Sequence, residues 1–455
     1  MKIKKIMITG LYGYIDKEID FYEDINLLVG INGSGKTSIL NIISWLLKPS
    51  LHFLCVTEFK RISMHFSYKD AEYTIECRHS KSFLKYSIKS SKQSETFNNL
   101  SVRLILPPSK ISDDNETRNS LLERYYHLGP SEHEAKTWDF INNFPNPVIV
   151  GLDRNLYIEE KEEKIFLDPQ HKIRVSRKPE IIRTSPLNIV KDLVNTSYRK
   201  RKNEILNLTN NLKNHLMFSA FEGIITMDSL SSGLKQKLSV NQIESVEKRF
   251  NDYLNKFESD VFSNDQLSLI SNYFSQLKDI AGADQASPKS EHAALFAFNA
   301  NHFLKLRKLL SQLEKFERES KNILALIYLY LETLNSFFKD SFKQLVFKED
   351  TSEIKFNTID KNGALSPTYR DISGLSSGEQ QILILFSYLA FNSQEGRIFI
   401  IDEPELSLHI KWQEEFLNNL EILTQKSTQV FIATHSPIIV GKKKDKAILL
   451  LPYNK

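Results

Sequence analysis

Only two cysteines, Cys55 and Cys77, occur in 455 residues, and no CxxC spacing is present. That excludes a disulfide framework and a zinc hook built from two cysteines per chain. The expected setting is a reducing cytosol, so the protein is expected to be cytoplasmic. Long apolar runs are missing too: Ile323 to Leu331 and Ile382 to Leu385 are far shorter than the roughly 20 residues that span a bilayer. The start, Met1-Lys2-Ile3-Lys4-Lys5-Ile6, is basic but leads into Thr9-Gly10-Leu11-Tyr12-Gly13 rather than the apolar core of a signal peptide. No membrane role is expected of the chain itself. Nor is one sign of charge dominant: 60 basic against 56 acidic residues leave +4, too little to argue for nucleic acid. A DNA contact would have to come from local clusters, Arg199-Lys200-Arg201-Lys202 or Lys442-Lys443-Lys444. A charged run is more often a solvated face. Hydrophobic residues at 41% and charged residues at 25% are ordinary for a globular chain, long enough here for two or three packed units.

Glycine and proline are scarce between about 190 and 345, limited to Gly223, Gly233, Gly282 and Pro288. Leucines recur there at helical spacing, as in Leu206, Leu208 and Leu212, then Leu304, Leu306, Leu309, Leu310 and Leu313. The segment reads as a helical insertion broken near 280–292, and a helix of roughly 45 residues would reach about 68 Å. The flanks read differently. Strands are expected at 2–9, 19–21, 25–29, 62–68, 73–77 and 147–150, around one helix at 38–47 that Pro49 stops. Residues 80–99, rich in Ser and Lys, read as a hairpin or mobile loop. From about 350 the β/α pattern resumes, with buried parallel strands at 398–401 and 430–433. The expected division is 1–165, a helical 166–349, and 350–455.

Gly30-Ile31-Asn32-Gly33-Ser34-Gly35-Lys36-Thr37 fits the phosphate-loop pattern GxxxxGK[ST]. The backbone of Asn32, Gly33, Ser34 and Gly35 can curl around phosphates, and the helix opening at Lys36, Thr37 and Ser38 aims its positive end at them. Lys36 would reach the β/γ oxygens of ATP, and Thr37 would ligate Mg²⁺. Asp402 and Glu403 follow four apolar residues, a Walker B arrangement: Asp402 for the Mg²⁺ shell, Glu403 as general base toward water. His435 ends a second apolar strand in Ala-Thr-His-Ser-Pro and is read as a γ-phosphate switch, although a lone histidine is usually structural. Leu375-Ser376-Ser377-Gly378-Glu379-Gln380 can open a helix at an anion. The plain alternative is a serine N-cap with Glu379 in the first turn. Leu230-Ser231-Ser232-Gly233 repeats its first four letters with no Walker B nearby, and reads as a turn.

Together these motifs resemble ABC-type ATPase heads of the SMC, RecF and OLD-like branch. The resemblance covers about the first 165 and last 105 residues. It implies an α/β head assembled from both ends of the chain, with a short coiled-coil-like helical arm inserted between its lobes. After Glu403, Pro404-Glu405-Leu406-Ser407-Leu408-His409 stands where transporters carry an aspartate-ending D-loop. The resemblance implies a homo-oligomer in which Ser376, Gly378 and Glu379 of one copy bind the ATP of another. A Q-loop glutamine is not placed: Gln93 lies in the right half but in a polar stretch. Arg154 could line the nucleotide site or pair with an acid. The chain ends about 20 residues after His435, so no OLD-type nuclease domain is expected in cis. It is similar in this to the ATPase subunits of two-gene anti-phage systems, PtuA of Septu and AriA of PARIS, which implies a separately encoded nuclease as partner. Two alternatives stand beside that reading, a RecF-like repair factor that binds DNA directly and an ATP-locked scaffold with little turnover.

Overall fold

Period-two alternation in the first hundred residues builds an antiparallel sheet. In the computed structural model its strands are β1 (Lys2–Leu11), β2 (Ile15–Asp20), β4 (Arg61–Tyr68), β5 (Ala71–His79), β6 (Phe83–Ser90) and β7 (Leu100–Arg103), in the order β2-β1-β4-β5-β6-β7. The structure describes all residues except 112–114, 151–184, 222–238, 256–262, 284–289, 393–395, 425–426, 442 and 452–455. Arg154, Lys442 and the Leu230–Gly233 repeat lie outside the described residues, as do residues 284–289 of the expected break near 280–292.

A second, all-parallel sheet has the order β13-β3-β12-β11-β8, from β3 (Ile25–Val29), β8 (Val148–Val150), β11 (Ile398–Asp402), β12 (Gln429–Thr434) and β13 (Ala447–Leu449). Every residue of β12 is buried, and so are the first four of β3 and of β11, which explains their unbroken apolar runs. Gln429 joins the two sheets. Its amide donates to Ile3 O (2.9 Å) and Tyr22 O (2.7 Å), and its carbonyl accepts Ile3 N–H (2.7 Å), the two bonds to Ile3 fully buried. Losing that side chain would leave buried backbone groups unmet, at about 1–3 kcal/mol for each.

Helix α1 (Lys36–Leu47) packs on β11 and β12, burying Ile39, Leu40, Ile42, Ile43, Leu46 and Leu47. Three further helices stand where one was expected: α2 (Leu51–Val56), α3 (Asn115–Tyr126) and α4 (Ala135–Asn142). The first is a turn and a half long. The second buries little beyond Leu121 and Tyr125, so its polar sequence carries no amphipathic stripe. The Ser/Lys-rich 80–99 stretch contains β6, whose Leu84, Tyr86 and Ile88 face inward between exposed polar residues. A hairpin of β9 (Lys343–Lys348) and β10 (Glu353–Thr358) begins inside the span expected to be helical.

The chain forms two units: Met1–Ser197 with Leu329–Lys455, and Tyr198–Tyr328. The second is helical and falls inside the expected 166–349. Its core gathers Ile243, Val246, Phe274, Leu277, Phe303 and Leu310, beside a forked ion pair from Arg249 to Glu314 (3.0 and 2.5 Å). Ser239 opens the helix Val240–Leu254 with a capping box closed by Gln242. The longest helix among the described residues, Ser290–Phe338, has 49 residues, close to the length expected. No described helix is long and apolar enough to cross a membrane.

Candidate functional site

Strand order makes the site. β12 lies between β3 and β11, with Val29 opposite Thr434 and Asp402 opposite Ala433. The carboxyl ends of three buried strands therefore stop side by side, each followed by a sequence motif. Ligands of open α/β sheets bind at that edge.

After β3 the loop 30–35 turns sharply, with Gly33 at φ 79° and Gly35 at φ 90°, conformations in which an L side chain is strained. Gly35 precedes α1 with no side-chain cap, so the first N–H groups of the helix remain for an anion. Lys36, only 5% exposed, donates its ammonium to Gly30 O (2.9 Å) and Ile31 O (3.2 Å), spanning the loop. Burial lowers its pKa, while Glu403, Asp402 and Glu405 pull the other way. Ser34 Oγ is buried with no hydrogen-bond partner, a polar atom left over in a phosphate cradle.

Thr37 Oγ1 donates to Asp402 Oδ1 at 3.2 Å across 365 positions of sequence. Burial holds the Asp402 carboxyl above its ordinary range, and the neighbouring carboxylates Glu403 and Glu405 add to that push. Three acids around one lysine form an anionic pocket of a kind that suits a divalent cation, and the threonine and aspartate oxygens are hard donors of the type Mg²⁺ takes. Glu403 is left-handed at φ 49°, with its N–H donated to Ala433 O (2.9 Å). A glutamate there is strained, a state that persists where the surroundings enforce it. Its carboxylate lies 3.8 Å from His435 Nε2, with both side chains partly open to solvent.

Two residues at this site had no role in the sequence reading. Glu405 accepts Thr434 Oγ1 (2.9 Å) and His435 N–H (2.5 Å), tying the loop after β11 to the end of β12. An acid two places after Glu403 was the available signal. Tyr12 lies in the left-handed turn between β1 and β2, its hydroxyl 3.4 Å from Ser38 Oγ. Nothing in its local sequence points to the phosphate loop.

Ser376, Gly378 and Glu379 sit elsewhere. Ser376 caps the helix Ser377–Phe391, accepting Glu379 N–H (3.4 Å), while Glu379 Oε2 accepts Ser376 N–H (2.7 Å). Glu379 is 2% exposed and its carboxylate is held by Lys343 (2.7 and 3.0 Å), so it positions the helix start. Among the described residues, no hydrogen bond or ion pair joins these three to Gly30–Ser38. Gln93 lies in an exposed turn after β6. Lys443 is ion-paired with Glu421 (2.6 Å), which takes it out of the basic cluster 442–444.

Two solved structures align along nearly the whole chain. One is the Smc head domain with an extended coiled coil bound to the C-terminal domain of ScpA from Pyrococcus furiosus, at 12% identity and TM-score 0.36, covering 96% of this chain and 91% of that one. The other is the SMC head domain from Thermotoga maritima, at 11% identity and TM-score 0.35, covering 99% and 94%. Neither likeness is strong enough to carry a functional argument. The match to the family described as AAA ATPase domain runs over residues 1–440, almost the full length, and takes in the phosphate loop, Asp402, Glu403 and His435. The chain belongs to the AAA ATPase domain family.

Proposed function

We propose that the chain is an ABC-type ATPase, hydrolysing ATP with Mg²⁺ in a site that a second copy completes. The observation that carries this reading is the Thr37–Asp402 pair, which brings the loop threonine and the Walker B aspartate within 3.2 Å. Thr37 and Asp402 would hold Mg²⁺, which when bound neutralises charge on the β and γ phosphates. Asn32 to Ser38 would bind the phosphates through backbone N–H groups and the Lys36 ammonium. Glu403 would take the proton of the attacking water as general base, and His435, 3.8 Å away, would sense the γ-phosphate.

The start of the helix Ser377–Phe391 supports a dimer of heads. Glu379 is turned inward to Lys343, and a helix start leaves its first N–H groups, here those of Ser377 and Gly378, without an intrahelical acceptor and so available to an anion. That anion would be the ATP bound to Lys36 and Thr37 of the other copy, met by Ser376 and Gly378. Opening of the dimer after hydrolysis would shift a population of states. The finer role, an ATPase subunit of a cytoplasmic anti-phage complex controlling a separately encoded nuclease, rests on the resemblance of the motif set and helical insertion to such subunits.

The test is nucleotide binding, turnover and mass in solution. Lys36→Ala should lose ATP binding, whereas Glu403→Gln should keep ATP, lose turnover and accumulate as a dimer when ATP is added. Normal hydrolysis in either variant sinks the site assignment, and a Glu403→Gln protein that stays monomeric with ATP bound sinks the shared site. A nuclease recovered in fixed ratio with a tagged copy expressed from its own operon would support the defence role. Recovery of the homo-oligomer alone would favour a repair ATPase.

A further inference from the structure

A cavity of about 670 Å³ opens in the lobe that carries β7, α3 and α4, built entirely from residues 51–138 and so apart from the phosphate loop and both C-terminal motifs. Its volume falls within the roughly 300–1,000 Å³ typical of small-molecule sites. Buried Leu104, Tyr125 and Trp138 line it, and Ile105 and Leu128 contribute apolar surface that is 50% and 44% exposed.

Its polar groups are unevenly satisfied. β7 is the edge of the antiparallel sheet; on it Ser101 N–H donates to Glu134 Oε1 (2.7 Å), and just past its end Ile105 N–H donates to Tyr125 Oη (2.7 Å). The Glu134 carboxylate also accepts Ser131 N–H (2.9 Å) and Ser131 Oγ–H (2.6 Å), so three donors hold it in place. Arg103 and Arg124 line the same cavity, and among the described residues neither makes an ion pair or hydrogen bond. The cavity therefore combines an apolar, aromatic wall with two guanidinium groups that lack a carboxylate among the described residues.

We propose that this cavity binds a small amphipathic organic anion, its apolar body on Leu104, Tyr125 and Trp138 and its carboxylate, sulfonate or phosphate group held by Arg103 and Arg124. Guanidinium groups pair with such anions through two parallel N–H donors. The proposal is independent of the ATPase mechanism.

The probe is 1-anilinonaphthalene-8-sulfonate, titrated by fluorescence into the full chain with and without ATP. Its uncharged relative N-phenyl-1-naphthylamine serves as comparison. One site per chain is expected, unaffected by ATP and about tenfold or more weaker for the neutral dye. Arg103→Gln with Arg124→Gln should weaken sulfonate binding by about tenfold. Leu128→Glu, which sets a like charge at the rim, should do the same, whereas Lys89→Gln should change nothing. All four positions are exposed, so thermal melting of the variants should match the wild type. Displacement of the dye by ATP, or undiminished binding in the arginine double variant, would overturn the proposal. Equal affinity for the neutral dye would also overturn it, and would mark the cavity as an apolar groove for a protein segment.

Discussion

Glu405 Oε1 accepts the backbone N–H of His435 at 2.5 Å, which fixes the histidine to the loop that carries the proposed general base. The second carboxylate oxygen takes the hydroxyl of Thr434, so one acid sets the end of β12 against the end of β11. The position of His435 beside Glu403 is thus a property of Glu405 as much as of the strand.

Glu405→Ala should lower ATP turnover by about tenfold or more while ATP binding persists, because the N–H and hydroxyl lose a charged acceptor. The stability cost should be about 1–2 kcal/mol in urea unfolding. Glu405→Gln, which keeps an acceptor, should recover most of the turnover. Equal turnover in the wild type and in Glu405→Ala would show that His435 needs no such anchor.

Gly30 is where the cradle meets the C-terminal segment. A Cβ there would come within 2.5 Å of Leu450 O and 2.6 Å of Ser34 Oγ, and the first of these is backbone that cannot step aside cheaply. Gly30→Ala should destabilise the chain by about 1–3 kcal/mol and weaken ATP binding. Gly33→Ala meets nothing within 4 Å and should cost only the strain of its positive φ, about 1–2 kcal/mol. Urea unfolding of the two variants separates the effects. A neutral Gly30→Ala would show that the cradle does not close on Leu450.

His79 gives the stability a pH dependence. Burial lowers its pKa to about 4 from 6.5, while its Nε2 lies 3.0 Å from Leu54 O and its ring stacks on Phe59. The unfolded chain binds the proton first, so stability is full above about 6.5, falls as the pH drops toward 4, and falls no further below that. The largest loss is roughly 3 kcal/mol. His79→Gln should flatten this part of the melting curve between pH 7 and 4. An unchanged slope in the variant would place the effect elsewhere.

Some of this was present in the chain as written. Gly30 to Thr37, Asp402 with Glu403, and Ala433 to Pro437 are short stretches whose chemistry depends on near neighbours, so spacing revealed them. The buried strands 25–29, 398–402 and 429–434 announced themselves as apolar runs, since a parallel strand covered on both faces has no polar side to show. Helices α2, α3 and α4 stayed hidden because each is short or mostly polar, and the choice between hairpin and loop at 80–99 stayed open because lysine and serine fill the outward positions of β6.

What sequence alone determined is which side chains are candidates for the phosphate and acid–base chemistry proposed. Only the tertiary structure decided where they meet. The insertion of β12 between β3 and β11 sets Val29 beside Thr434 and Asp402 beside Ala433, and so brings Thr37 to Asp402 over 365 positions. The same packing turned Glu379 inward to Lys343, gave Glu405 its hold on His435, and, among the described residues, left Arg103 and Arg124 without an acid. Hydrogen bonds and ion pairs depend on distances of a few ångströms, and distant segments acquire those only when the sheets and helices close over a shared core.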